Sequence, residues 1–146
     1  MSSKSLPLSE FTLSRRVQFH EADPAGIVHF SCYFRYMEEA EHALWRAAGL
    51  SIAPQGADLG FPRVSTSCEY LRPLRFEDVA DVRIRIVRIT NRSMHYACTI
   101  RCGSETAATL SLVIVCVRPR ADGSFAAMPI PHDIVSRFAA VPEDGL

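Results

Sequence analysis

The segment His20-Glu21-Ala22-Asp23-Pro24-Ala25-Gly26-Ile27-Val28-His29-Phe30 holds two histidines and two carboxylates. Within it, Asp23-Pro24-Ala25-Gly26 has the order of a tight turn, with Asp first, Pro second and Gly last. A helical pattern opens at about residue 31, so this turn lies just before a helix N-terminus. The first amides of a helix have no intrahelical partner and carry partial positive charge. Acyl transfer needs such a place. A carbonyl oxygen set against those amides is polarised, and a developing oxyanion is stabilised. A carboxylate a few residues upstream can then act on the other side of the carbonyl, as nucleophile or as general base for water. Asp23 is the residue so placed.

Each of these residues also has a plain structural reading. An Asp ahead of Pro is ordinarily a turn-former whose carboxylate bonds nearby amides, and local composition alone favours that reading for Asp23. His20 closes a strand, His29 could simply orient the start of the helix, and Glu21 reads as a solvated carboxylate. Other hydrolytic chemistries fit less well. No G-x-S-x-G elbow exists for a serine hydrolase, and the spacing of His20, Asp23 and His29 matches no strong metal-ligand signature.

The elements that must position this segment are legible from periodicity. Residues 11–19 alternate, with Phe11, Leu13, Val17 and Phe19 on one face and Thr12, Ser14, Arg16 and Gln18 on the other, as in a half-buried strand. Over 31–48 the pattern becomes helical, with Tyr33, Met37, Ala40, Leu44 and Ala47 recurring every three or four residues and Gly49 as a stop. A Gly- and Pro-rich loop follows, then strand-like runs at about 63–71, 79–89, 93–102 and 106–118. The last of these is apolar on nearly both faces, which predicts a central strand with its outer face also covered. Asp122-Gly123 marks a turn, and 131–140 reads as a short closing helix. One strand, one long helix and a run of antiparallel strands predict an α+β fold.

With 146 residues the chain fits a single domain, 1–146, of which 1–10 reads as a loose tail. Sixteen basic residues balance sixteen acidic ones, which argues against a nucleic-acid partner. The five cysteines are an odd set with no CxxC pair, which predicts free thiols in a reducing compartment. The first ten residues lack the apolar run of a signal peptide, and no stretch is apolar enough to span a membrane. A cytoplasmic location is expected.

The string Val17-Gln18-Phe19-His20-Glu21-Ala22-Asp23-Pro24-Ala25-Gly26-Ile27-Val28-His29-Phe30-Ser31, followed by Tyr33-Phe34-Arg35-Tyr36-Met37-Glu38, resembles the 4-hydroxybenzoyl-CoA thioesterase family. That family includes the short-chain acyl-CoA thioesterases associated with the Tol–Pal system. The resemblance continues in Cys68-Glu69-Tyr70-Leu71-Arg72-Pro73-Leu74-Arg75-Phe76-Glu77-Asp78 and, more thinly, to about Arg118. It implies a hotdog fold, an antiparallel sheet wrapped around one long central helix, and hydrolysis of a CoA thioester to free acid and CoA. It places Asp23 on the catalytic aspartate and Gly26 on the glycine that turns the chain into the helix. It sets the backbone amides of His29, Phe30 and Ser31 toward the thioester carbonyl. His29 departs from the tyrosine or tryptophan of several relatives. Arg88, Asn91 and Arg92 fall where relatives place residues that meet the CoA phosphates, a role suited to the arginine fork.

No cofactor or metal is implied beyond the coenzyme A of the substrate. Because some hotdog thioesterases use a helix glutamate as base, Glu38 and Glu39 are the reserve candidates. The alternatives are a hotdog enoyl-CoA hydratase, which spaces its Asp and His differently, and a non-catalytic acyl-CoA-binding module. The fold also implies a homodimer or homotetramer, with sheets joined edge to edge and the active site between subunits.

Overall fold

The computed structural model describes residues 6–142. Five strands form one antiparallel sheet: β1 (Glu10–Arg16), β2 (Arg63–Tyr70), β3 (Val79–Ile89), β4 (Ser93–Cys102) and β5 (Glu105–Val115), in the order β1-β3-β4-β5-β2. The helix α1 (Cys32–Ala47) lies against one face. This is the hotdog arrangement expected above.

Strand alternation builds the core. Inward-facing residues stand in rows across the sheet: Val82, Ile100 and Ala108; Ile84, Cys98 and Leu110; Ile86, Tyr96 and Leu112. All nine are buried. Tyr33, Tyr36, Met37, Ala40 and Leu44 give α1 the apolar stripe that covers these rows. Trp45 closes the far end, 5.0 Å from the Phe61 ring and 5.1 Å from that of Phe138. The helix stops in a Schellman motif. Gly49 sits at φ +79°, its N–H donates to Arg46 O at 2.9 Å, and Leu50 N–H donates to Trp45 O at 2.9 Å.

Several expectations are corrected. The first strand ends at Arg16 rather than residue 19, because Phe19–Glu21 turn into a short 3₁₀ segment held by the Glu21 carboxylate on the Gln18 N–H at 2.8 Å. The last long strand breaks at Cys116, whose N–H donates to Arg92 O. The chain then leaves the sheet as β6 (Val117–Pro119), which pairs with β7 (Phe125–Ala127). The outer face of β5 is only partly covered within the chain: Thr109, Val113 and Val115 are half-buried and Ser111 is exposed. The closing helix is a single turn, α2 (His132–Val135). Of the expected loose tail, residues 1–5 lie outside the described residues. Leu8 and Ser9 are tied down, through Leu8 N–H to Arg137 O and Ile86 N–H to Ser9 O. All five cysteines are free thiols. Among the described residues no helix is long and apolar enough to cross a membrane.

Candidate active site

Between the 3₁₀ segment and α1 the chain folds back on itself as a small ladder. His29 N–H donates to Glu21 O at 2.8 Å, Ala22 bridges Val28, and Asp23 N–H donates to Ile27 O at 2.8 Å. Gly26 closes the tip, with its N–H on Asp23 O at 2.9 Å. Its φ of +82° is the left-handed conformation that glycine adopts without steric cost. A second wall comes from the loop after β2: Val28 N–H donates to Leu74 O at 2.8 Å, and Ile27 bridges Arg75.

Asp23 is half-buried at this tip. Its Oδ1 accepts the Ala25 N–H at 2.8 Å and, more distantly, the Ile27 N–H at 3.4 Å. No hydrogen bond among the described residues occupies Oδ2. The turn contacts of Asp23 therefore fall on one oxygen of its carboxylate.

Asp23 lines a cavity of about 390 Å³ together with Ile27, Val28, Phe30 and Tyr33 on one side and residues 70–73 on the other. The lining is mostly apolar and aromatic. Tyr70 meets the Tyr33 ring edge-on at 4.9 Å and donates its hydroxyl to Phe30 O at 2.9 Å, which ties the end of β2 to the start of the helix.

The amides at the helix start are not equivalent. The His29 N–H, expected to face a substrate carbonyl, is taken by Glu21 O. The Ser31 N–H points at His29 Nδ1 at 3.3 Å, so that nitrogen is an acceptor, and it also receives the Ser31 hydroxyl at 2.7 Å. His29 thus orients the helix start, and its ring stacks on Phe30 with centroids 4.5 Å apart. The Phe30 N–H has no hydrogen-bond partner among the described residues, and Phe30 is one of the residues that line the cavity.

Glu21, expected to be solvated, is only 6% exposed. Its carboxylate accepts from Arg15 at 2.6 Å, from the Gln18 N–H at 2.8 Å and from the Tyr36 hydroxyl at 2.9 Å. The Arg15 guanidinium also binds Glu39 at 2.8 Å and lies 4.3 Å over the Tyr36 ring. Burial pushes the Glu21 carboxyl up, but the hydrogen bonds from Arg15, Gln18 and Tyr36 outweigh it and hold the acid below the usual range. Sequence reading missed this residue because its partners sit on β1 and α1.

The remaining candidates disperse. Glu38 pairs with Arg63 at 3.4 Å on the side of α1 facing β2, and Glu39 is committed to Arg15. Arg88, Asn91 and Arg92 are exposed at the β3–β4 hairpin. Through the register Met94↔Ile114↔Arg63, that hairpin lies at the opposite end of the sheet from Tyr70↔Ala108. At a rise of about 3.3 Å per residue the separation is roughly 20 Å. Within one chain these residues do not join the site. Two other arginines do: Arg72 lines the cavity, and the Arg75 guanidinium lies 4.0 Å from where a Cβ on Gly26 would stand. Both lie in the segment 68–78, and no local pattern there signals their nearness to Asp23. Among the described residues no three His, Cys, Asp or Glu side chains group as a metal site, so His20 does not join Asp23 and His29 in one.

Residues 25–109 match the thioesterase superfamily, more than half of the chain, and the protein belongs to that family. A curated protein of Aquifex aeolicus (strain VF5), whose name carries the word esterase, is 40% identical over 82 residues. That match covers 55% of this chain and 63% of the relative, so under two thirds of the relative's length is matched. Among solved structures, a hypothetical protein from Aquifex aeolicus superposes with a TM-score of 0.80 at 28% identity, over 88% of this chain and 99% of that one. A gentisyl-coenzyme A thioesterase does so with a TM-score of 0.78 at 27% identity, over the same shares.

Proposed function

We propose that this protein hydrolyses an acyl-CoA thioester to free acid and coenzyme A, with Asp23 supplying the carboxylate and the Phe30 N–H polarising the carbonyl. The observation that carries the proposal is the pairing, around one cavity, of an unoccupied carboxylate oxygen with an unoccupied amide at a helix start. In this reading the acyl group enters the aromatic cavity with its carbonyl oxygen on Phe30 N–H. Asp23 Oδ2 then either attacks the carbonyl carbon or takes a proton from the water that does. The C–S bond breaks with its electron pair on sulfur, and on the general-base route the proton that Asp23 took from water passes to that sulfur to give coenzyme A. On the nucleophilic route water then cleaves the Asp23 acyl anhydride, which releases the acid, supplies the proton and restores the carboxylate. No metal is required, and the family membership supports thioester chemistry.

Arg72 and Arg75 are the arginines this chain places beside the cavity, and they suit the CoA phosphates. Arg88, Asn91 and Arg92 lie at the far end of the sheet within one chain, and a second copy could bring them to the CoA of this site, as in a homodimer. The edge strand β2 suits that assembly. Val64, Ser65, Thr66 and Ser67 are exposed along its middle with no charge or proline, whereas the other edge, β1, carries Glu10, Arg15 and Arg16. An uncharged, unblocked edge is a template for pairing. The free thiols fit a reducing, cytoplasmic setting.

A panel of acyl-CoA esters assayed for free thiol tests the proposal, with and without EDTA. The expected result is thiol release that survives the chelator. Hydration of an enoyl-CoA without thiol release, or binding without turnover of any ester, would overturn it.

A further inference from the structure

We infer that Glu21 is the positioning residue of this site: its buried carboxylate holds Asp23 and the Phe30 amide in one frame, and turnover depends on that frame. The inference rests on the proposed role of Asp23. Glu21 itself lies outside the cavity lining and does not touch a ligand there.

Asp23 lies two residues after Glu21, and Phe30 one residue after His29. The bond from His29 N–H to Glu21 O is the base rung of the ladder whose tip carries Asp23. The spacing between carboxylate and amide is therefore set at Glu21. Its side chain anchors that base to three separate places: Arg15 on β1, the Gln18 amide in the connecting turn, and Tyr36 on α1. Arg15 has a second anion in Glu39, so it would keep a partner if Glu21 were neutral. The Tyr36 hydroxyl and the Gln18 amide have none other than Glu21 among the described residues. A neutral amide at position 21 loosens the base rung while leaving both reacting groups in the chain. Displacement of reacting groups by about 1 Å can cost about 10²-fold in rate.

The test is thiol-release kinetics on the full chain for Glu21→Gln, Asp23→Asn, the double variant and Tyr36→Phe, with thermal melts alongside. For Glu21→Gln we expect kcat to fall about 10–100-fold while KM stays within about twofold. On the Asp23→Asn background the same change should cost less than about twofold, because residues acting as a unit are not additive. Tyr36→Phe, which removes only one anchor, should lower kcat by a smaller factor with KM unchanged. If Glu21→Gln lowers the melting temperature but the folded enzyme keeps its kcat, Glu21 is only a structural clamp and the inference fails. A full loss on the Asp23→Asn background also overturns it, since Glu21 would then act elsewhere. Should Glu21→Gln not fold, Tyr36→Phe decides, and an unchanged kcat there overturns the inference. Failure of the Asp23 reading is visible separately, as an Asp23→Asn variant that retains its own kcat.

Discussion

The backbone N–H of His29 donates to the carbonyl oxygen of Glu21 at 2.8 Å, joining the two arms of the loop that carries Asp23. This bond spends the amide of His29 on structure, while that of Phe30 has no hydrogen-bond partner among the described residues. The Glu21 side chain, buried against Arg15, the Gln18 N–H and Tyr36, anchors the residue that accepts this bond, with a consequence for stability.

Because the Glu21 acid is held below its ordinary value, its charged form stabilises the fold. That contribution is fully present above the unfolded glutamate value of about 4.3 and is lost as pH falls through the folded value. Glu21→Gln should therefore cost about 1.5–3 kcal/mol near neutral pH, and the gap to wild type should narrow as the pH falls below the unfolded glutamate value. Urea denaturation at several pH values measures it. A gap that stays constant with pH contradicts the assignment.

Gly26→Ala tests the turn. A Cβ there meets nothing nearer than the Arg75 guanidinium at 4.0 Å, so space is sufficient and only the left-handed φ is penalised. We expect about 1–2 kcal/mol of destabilisation and a drop in kcat as the Asp23 turn relaxes. A variant as stable and active as wild type would show that the turn does not need its glycine.

Two arginine sets compete for the CoA phosphates. Arg72→Ala should raise KM about tenfold, the loss of one charged hydrogen bond, with kcat nearly unchanged. Arg92→Ala should raise KM only if a partner copy carries its hairpin to the site. A large KM effect at Arg92 and none at Arg72 would reverse the assignment to the arginines beside Asp23.

Sedimentation velocity should show a species at least twice the 16.2 kDa chain mass. Thr66→Lys, in the uncharged middle of the β2 edge, should shift it toward monomer, since a charge there opposes strand pairing. Full activity in a monomer of about the chain mass would remove the need for a partner.

Much of this was legible in the sequence, where contacts are local. The α1 stripe from Tyr33 to Leu44, the Gly49 stop and the Asp23-Pro24-Ala25-Gly26 turn follow from spacing alone. Glu21 was misread because its burial depends on Arg15 and Tyr36, six and fifteen residues away. A local pattern shows only a carboxylate beside a histidine. The nearness of Arg72 and Arg75 to Asp23 was hidden for the same reason, since it arises when the loop after β2 bridges back to Ile27. The end of β1 turns on the Glu21 carboxylate accepting the Gln18 N–H, and the break at Cys116 on its N–H donating to Arg92 O, neither of which an alternation of apolar residues encodes.

The central claim is that Asp23 does chemistry as well as forming its turn. Asp23→Asn keeps the Oδ1 contacts to Ala25 and Ile27 within reach of the amide oxygen and removes the charge from the other position. Steady-state thiol release on the best acyl-CoA substrate, run beside a thermal melt, should show a normally folded protein with kcat down about 10²–10⁴-fold and KM changed far less. A normally folded Asp23→Asn protein that keeps most of its kcat would contradict the account and reduce Asp23 to a turn-former.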